Sequence, residues 1–151
     1  MLLLDNSAWA RLESPSLAEA RRLEIAALIE NDGIAVSAPF LLEAGWSARS
    51  AAHHEELLAE LLQLPFLPID ANVERGALSA QRDLARRGHH RSASPSDLLI
   101  AACAHVNSAG ILHYDHDYDV LADLTGLAFE SIWLAEPGTL CVSSAYRVRS
   151  K

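Results

Sequence analysis

Five acidic residues stand among neighbours that give them chemical meaning: Asp5, Glu43, Asp97, Asp115 and Asp117. Asp5 follows the apolar run Leu2-Leu3-Leu4, while Asp115 and Asp117 follow Ile111-Leu112-His113-Tyr114. In open α/β sheets, ligands bind beyond the carboxyl ends of the strands. If these two runs are neighbouring strands, three carboxylates converge at one sheet edge. Carboxylates that close repel one another and persist only with cations or shared protons. The single lysine, Lys151, is remote from all of them in sequence. A bound divalent cation is therefore the expected partner, and oxygen-only ligands favour Mg2+ or Mn2+ over zinc.

Glu43 lies in Pro39-Phe40-Leu41-Leu42-Glu43-Ala44-Gly45-Trp46, among mostly apolar neighbours. A charge there costs free energy unless it is paired, metal-bound or turned to water. Asp97 sits in Ser94-Pro95-Ser96-Asp97-Leu98-Leu99-Ile100. Its local alternative is a capping role, with Ser94 as N-cap, Pro95 at N1 and Asp97 at N3. Asp5 equally suits the N-cap of a helix beginning at Ser7, and Asp115 or Asp117 suits the cap of a short helix containing Val120, Leu121 and Leu124. Asp70 is read as a cap alone. Asp115-His116-Asp117-Tyr118-Asp119 resembles the start of a calcium loop, but Val120 replaces the glycine and Gly126 the glutamate which that loop requires.

The elements that must position these acids alternate between strand and helix. Leu2–Leu4 reads as a strand followed by a short helix around residues 7–11, then a longer helix over 16–31 ended by Asp32-Gly33. On that helix Leu17, Ala20, Leu23, Ala27 and Leu28 would face the core, with Glu19, Arg22 and Glu30 toward water. Strands are expected at 34–36, 66–69, 111–113 and 129–134, the second weakened by Pro68. Helices are expected from Pro39, over 53–63, over 72–87 stopping at Gly88, and over 95–107. This alternation implies an α/β fold, a single domain with a parallel-rich sheet flanked by helices on both sides. Residues 1–135 would form that domain, and residues 136–151 a C-terminal extension, either an edge strand or a tail.

Composition narrows the chemistry further. The 151 residues carry 20 Asp and Glu against 12 Lys and Arg, a net charge of -8, which argues against coating nucleic acid or anionic membrane by diffuse charge. Eleven of the 12 basic residues are arginine, so Walker-type phosphate loops, Schiff bases and lysine-assisted aspartyl-phosphate sites are disfavoured. Cys103 and Cys141 are far apart and have no metal-site spacing; Cys103 reads as a small buried hydrophobe. Met1-Leu2-Leu3-Leu4-Asp5 lacks a positive region and reaches an acid after three leucines, so no signal peptide is expected. No apolar stretch reaches membrane-spanning length, and a cytoplasmic location without membrane contact is the expectation.

Taken together, the acids resemble those of the PIN-domain family, particularly its VapC-type ribonuclease toxins of type II toxin–antitoxin systems. The matching pieces are Leu3-Leu4-Asp5-Asn6-Ser7-Ala8, Leu42-Glu43, Ser96-Asp97-Leu98-Leu99-Ile100-Ala101-Ala102, and Leu112-His113-Tyr114-Asp115-His116-Asp117-Tyr118-Asp119. The resemblance spans residues 1–135. It implies an acidic pocket binding Mg2+ or Mn2+, with Asp5, Glu43 and Asp97 matching the first three family acids and Asp115 or Asp117 the fourth. Metal ligation falls to Asp5, Asp97, Asp115 and Asp117, and catalysis to these with Glu43. Ser7 matches a hydroxyl often found near the pocket.

The implied chemistry is metal-assisted hydrolysis of an RNA phosphodiester. The RNA substrate would lie on Arg82, Arg86, Arg87 and Arg91, with Arg11, Arg21 and Arg22 adding to that surface. The resemblance also implies a homodimer and a small VapB-like antitoxin that covers the pocket, DNA contact being made only through the antitoxin. Trp9, Trp46 and the helix over 53–63 are candidate contact surfaces, with core packing as the alternative use. Two other functions compete: a metal-dependent phosphatase using Asp115-His116-Asp117, and a catalytically silent, acidic metal-binding interaction module. The phosphatase reading lacks its accessory lysine and has its motif far from the N-terminus.

Overall fold

Three leucines in succession, with no polar residue to alternate, suit a strand covered on both faces. In the computed structural model, which describes residues 1–142, this run is β1 (Leu2–Leu4), with Leu3 and Leu4 buried. It is followed in chain order by α1 (Asn6–Trp9), α2 (Glu19–Glu30), β2 (Ile34–Ala35), α3 (Ala38–Trp46) and α4 (Ala51–Leu61). Then come α5 (Ala71–Arg86), α6 (Pro95–Val106), β3 (Gly110–His113), α7 (Asp117–Leu124) and β4 (Ser131–Trp133). The four strands form one parallel sheet in the order β2-β1-β3-β4. Leu2 lies opposite both Ile34 and Gly110, and Leu4 opposite Leu112.

This order fixes where the helices go. The chain steps from β1 to β2 in one direction, then returns past β1 to β3 and on to β4. Right-handed crossovers therefore put α1 and α2 on one face, and α6 and α7 on the other. The reversal falls between β1 and β3, the topological switch point where ligand crevices form in such sheets.

Close packing on the second face depends on small side chains. Ala101, Ala102, Cys103 and Ala104 of α6 are all buried, and Ala77 and Ala80 of α5 are buried with them. A Cβ added at Gly76 would stand 3.3 Å from that of Ala102, so α5 and α6 are in near backbone contact. Helix α5 then ends abruptly. Gly88 adopts φ +76°, while its N–H donates to Ala85 O at 3.1 Å and the His89 N–H to Leu84 O at 2.8 Å. This is the Schellman pattern, which turns the chain toward the start of α6.

Several expectations from sequence are corrected. Phe66 makes only an isolated parallel bridge to Val36, so residues 66–69 extend the sheet edge without forming a regular strand; Pro68 has no N–H to continue the ladder. Helix α2 starts at Glu19, leaving the buried Leu17 outside it, and its buried residue is Ile25, whereas Ala20, Leu23 and Ala27 are exposed. Apolar residues occupy nearly every side of α2, so periodicity could not select the inward face. Nor do its arginines face water: Arg22 donates to Ser14 O, and Arg21 donates to the carbonyls of Trp133 and Leu134 at 3.1 Å each. Of the C-terminal extension, residues 143–151 lie outside the described residues.

Replacing Gly88 with alanine should lower stability by about 1 kcal/mol through backbone strain alone, since L-residues disfavour this conformation. Among the described residues, its chain neighbours aside, no atom lies within 4 Å of the added Cβ, so steric overlap contributes nothing. Urea denaturation of Gly88→Ala against the parent measures it.

Candidate active site

Asp5 leaves β1 and is held on all sides. Its backbone N–H donates to Leu112 O at 3.0 Å, continuing the β1–β3 pairing by one residue. Its Oδ2 accepts from the Ser7 N–H at 2.8 Å, which makes it the N-cap of α1, and also from the Ser7 hydroxyl. Ser7 Oγ in turn accepts from the Tyr114 N–H at 2.9 Å, tying the exit of β3 to the exit of β1. Asp5 Oδ1 accepts from the buried Tyr118 hydroxyl at 2.7 Å. The same hydroxyl lies 3.4 Å from Asp97 Oδ1.

Asp97 is brought there by the cap of α6. The Ser94 N–H donates to Asp97 Oδ2 at 2.7 Å, and the Asp97 N–H donates to Ser94 Oγ at 3.1 Å, a complete capping box with Pro95 opening the helix. Capping uses Oδ2 and leaves Oδ1 toward the other acids. Glu43, half-buried on α3, is hydrogen-bonded by the Ser96 side chain, and α3 packs on α6. For Asp5 and Asp97 the capping and clustering geometries therefore coexist, because one carboxylate has oxygens for each; α7, by contrast, is entered through His116 with no side-chain cap, so neither Asp115 nor Asp117 is its N-cap.

The acids feel one another's charge. Burial is the main cause raising the pKa of Glu43; the Ser96 hydrogen bond opposes it, and the charges of Asp5 and Asp97 add to it. Burial likewise raises Asp97 against its hydrogen bonds from Ser94, with Asp5 and Asp115 adding repulsion. Asp117 is raised by burial, then by Asp115 and Asp97, while His116 acts the other way. Asp115 Oδ1 accepts the Asp117 N–H at 3.0 Å as the chain turns into α7. All five acids named from sequence thus belong to one electrostatically linked group, and among the described residues none is ion-paired to an arginine or lysine.

Asp119, the third acid of the same alternating series, is spent otherwise. It accepts from Ser131 Oγ at 2.6 Å and Trp133 Nε1 at 3.0 Å, fastening α7 to β4. Burial alone would raise its pKa, but these bonds and one from His116 together hold it below the ordinary range. His113 completes this support. The Asp115 N–H donates to its Nδ1 at 3.2 Å, and its Nε2 lies 2.7 Å from Ser131 Oγ, whose proton is committed to Asp119. The network therefore assigns a neutral imidazole protonated at Nε2. Burial, working against the raising effect of Asp119 and its neighbours, lowers the His113 pKa accordingly.

Sequence reasoning gave no role to Ser96 or Tyr118. Tyr118 carried a usable signal: it shares a helical face with Leu121, so it should be buried, and a buried phenol needs a partner for its hydroxyl. The expected basic residues, Arg82, Arg86, Arg87 and Arg91, are exposed at the end of α5 and in the turn leading to α6. Arg86 is 3.7 Å from Asp83. Arg11 stacks 4.7 Å from the centre of the Tyr114 ring and donates to Ser7 O at 2.8 Å, beside the acids. Tyr114 also fastens the following chain, donating to Glu136 O at 3.0 Å and accepting from the Leu140 N–H at 2.9 Å. Trp9 packs edge-on against Phe40, but Trp46 is 91% and Leu42 74% exposed, forming an apolar ridge that flanks Glu43.

The donor set fits a hard divalent cation in chemistry and charge: mutually repelling carboxylates, none of them ion-paired to an arginine or lysine among the described residues. Among the described residues, no three His, Cys, Asp or Glu side chains are arranged to hold a metal ion as they stand.

The model of the PIN domain family matches residues 2–124, most of the chain and a range that contains all five acids. The chain belongs to the PIN-domain family. Within it, the relatives are VapC proteins: this PIN domain is 37% identical over 139 residues to ribonuclease VapC18 of Mycobacterium tuberculosis, covering 91% of this chain and 97% of the relative. Ribonuclease VapC51 of the same organism is 34% identical over 138 residues, covering 91% of this chain and 96% of the relative. In three dimensions the PIN domain resembles VapBC2 from Rickettsia felis, solved bound to a promoter DNA fragment, with a TM-score of 0.68 at 16% identity over 87% of this chain and 98% of that one. That likeness concerns the fold. Among the described residues no helix is long and apolar enough to cross a membrane.

The raised pKa of Glu43 has a thermodynamic consequence. A carboxyl whose folded pKa exceeds its unfolded value is penalised when ionised, so its cost is present at neutral pH and fades as pH falls through the carboxylate range. In chelator, Glu43→Gln should therefore melt above the parent at pH 7–8, and the difference should shrink toward about pH 4. Thermal melts of both proteins across that range read it directly.

Proposed function

We propose that this PIN domain is a Mg2+- or Mn2+-dependent endoribonuclease toxin that hydrolyses RNA phosphodiester bonds and is inhibited by a VapB-like antitoxin. The observation that carries the proposal is the group of five electrostatically linked carboxylates at the sheet's switch point, none of them ion-paired among the described residues. The VapC ribonuclease relatives support the choice of RNA.

In this reading Asp5, Asp97, Asp115 and Asp117 would hold the metal, which when bound would supply charge stabilisation at the phosphodiester and acidify a water. Asp5 is oriented by Ser7 and Asp97 by Ser94. Glu43 is the acid best suited to take the attacking water's proton, since its environment raises its basicity. Arg82, Arg86, Arg87 and Arg91 hold the RNA backbone beside the first turn of α6, and Arg11 adds a cation at the pocket. The ridge of Leu42 and Trp46 is where the antitoxin sits, beside Glu43 and over the acids. Structures of toxin–antitoxin complexes sharing the fold, including VapBC from Salmonella typhimurium bound to DNA, support such a partner. The toxin acts as a homodimer in the cytoplasm, and contact with DNA belongs to the antitoxin.

Asp5→Asn and Asp97→Asn should each lower divalent-dependent RNA cleavage on the order of a hundredfold or more while the protein remains folded. Gel assays with Mn2+ and with chelator, alongside circular dichroism, measure both; full activity in the folded variants would refute the assignment. Arg86→Glu with Arg87→Glu, in the Asp5→Asn background to prevent cleavage, should weaken RNA binding. The slope of log affinity against log salt should flatten by about 0.7 for each single-strand phosphate that the protein no longer neutralises. Filter binding at several salt concentrations reads both quantities.

A further inference from the structure

Tyr118 is fully buried on α7, yet its hydroxyl reaches the acids. It donates to Asp5 Oδ1 at 2.7 Å and lies 3.4 Å from Asp97 Oδ1, the oxygen not used in capping α6. A hydroxyl has one proton, so the shorter bond to Asp5 is the one it makes. With Ser7 on Oδ2 and Tyr118 on Oδ1, both oxygens of Asp5 are fixed and the plane of its carboxylate is set.

The ring is itself immobilised. It stacks on His113, with centroids 5.0 Å apart and planes at 42°, and His113 is held through Ser131 to Asp119. A carboxylate can only accept, so in this pair the phenol is the donor. Phenylalanine would fill the same space and preserve the stacking. What the tyrosine adds is one donor aimed at two acids that otherwise repel. Each carboxylate oxygen has a second lone pair, so this bond does not prevent Asp5 from also binding a cation.

We propose that Tyr118 is a positioning residue for the metal site, fixing the Asp5 carboxylate on the Asp97 side of the crevice so that a divalent cation need not first orient it. This rests on the metal-dependent reading of the acids. Partners of this kind, one step behind a metal ligand, characteristically control affinity by about 10- to 100-fold.

The test is Mn2+ titration of the parent and Tyr118→Phe, read by the electron paramagnetic resonance of free Mn2+, without RNA. Tyr118→Phe should bind Mn2+ about tenfold more weakly. In cleavage assays the Mn2+ concentration for half-maximal rate should rise by a similar factor, with the rate at saturating Mn2+ largely restored and the KM for RNA little changed. Leu121→Ala, which removes a buried side chain from the same helix, controls for loss of stability and should leave Mn2+ affinity near the parent value. Unchanged or tighter binding in folded Tyr118→Phe overturns the positioning role while leaving the metal site standing. An equal loss in Leu121→Ala also overturns it, and a parent protein that binds no Mn2+ overturns both readings. If Tyr118→Phe does not fold, Mn2+ binding by Tyr118→His, which keeps a ring and a donor, decides the matter: affinity below a tenth of the parent's overturns the role of the donor, and affinity nearer the parent's supports it.

Discussion

The parallel pairing of β1 with β3 is the constraint on which the site depends. Pairing in this register places Asp5 beside the carbonyl of Leu112, and hence beside the turn that carries Asp115 and Asp117. A shift of one residue would carry the acid off that turn and exchange the face that each side chain takes. The core and the site are thus specified by the same hydrogen bonds. Helix α6 must then start over this edge, and it does so because its small side chains let it lie close to α5 and the sheet.

Bringing like charges together in a partly buried crevice opposes folding. The structure offsets that cost locally: two of the acids are hydrogen-bonded as helix caps, a third to the backbone of the next turn, and a neutral phenol is placed between two of them. Burial, with the remaining repulsion added to it, appears as raised proton affinity at Glu43, Asp97 and Asp117. Charge left uncompensated by protein groups is what makes a crevice receptive to a cation.

Most of this was legible in the sequence because it is written locally. Leucine runs followed by aspartate, and Ser94-Pro95-Ser96-Asp97 before an apolar helix, mark strand ends and caps without knowledge of the fold. The inward face of α2 was illegible because its apolar residues surround the helix, and tertiary packing chose Ile25 over Leu23. The jobs of His113, Tyr118 and Asp119 were hidden for a different reason. Each is defined by a partner on another element, in Ser131, Asp5 or Trp133, and no local spacing encodes those meetings. The alternation Asp115, Asp117, Asp119 looked uniform in sequence, yet the fold sends its last member to β4.

The double use of Asp5 and Asp97 bears on how such a domain could change over time. Both cap helices as well as face the crevice, so a descendant relieved of catalysis would still lose stability by discarding them. Glu43 caps nothing and is raised in proton affinity by its surroundings, so its replacement would relax the fold. In a lineage losing this chemistry, the first acid to drift should be the glutamate on α3, with the two aspartates lingering as relics of architecture.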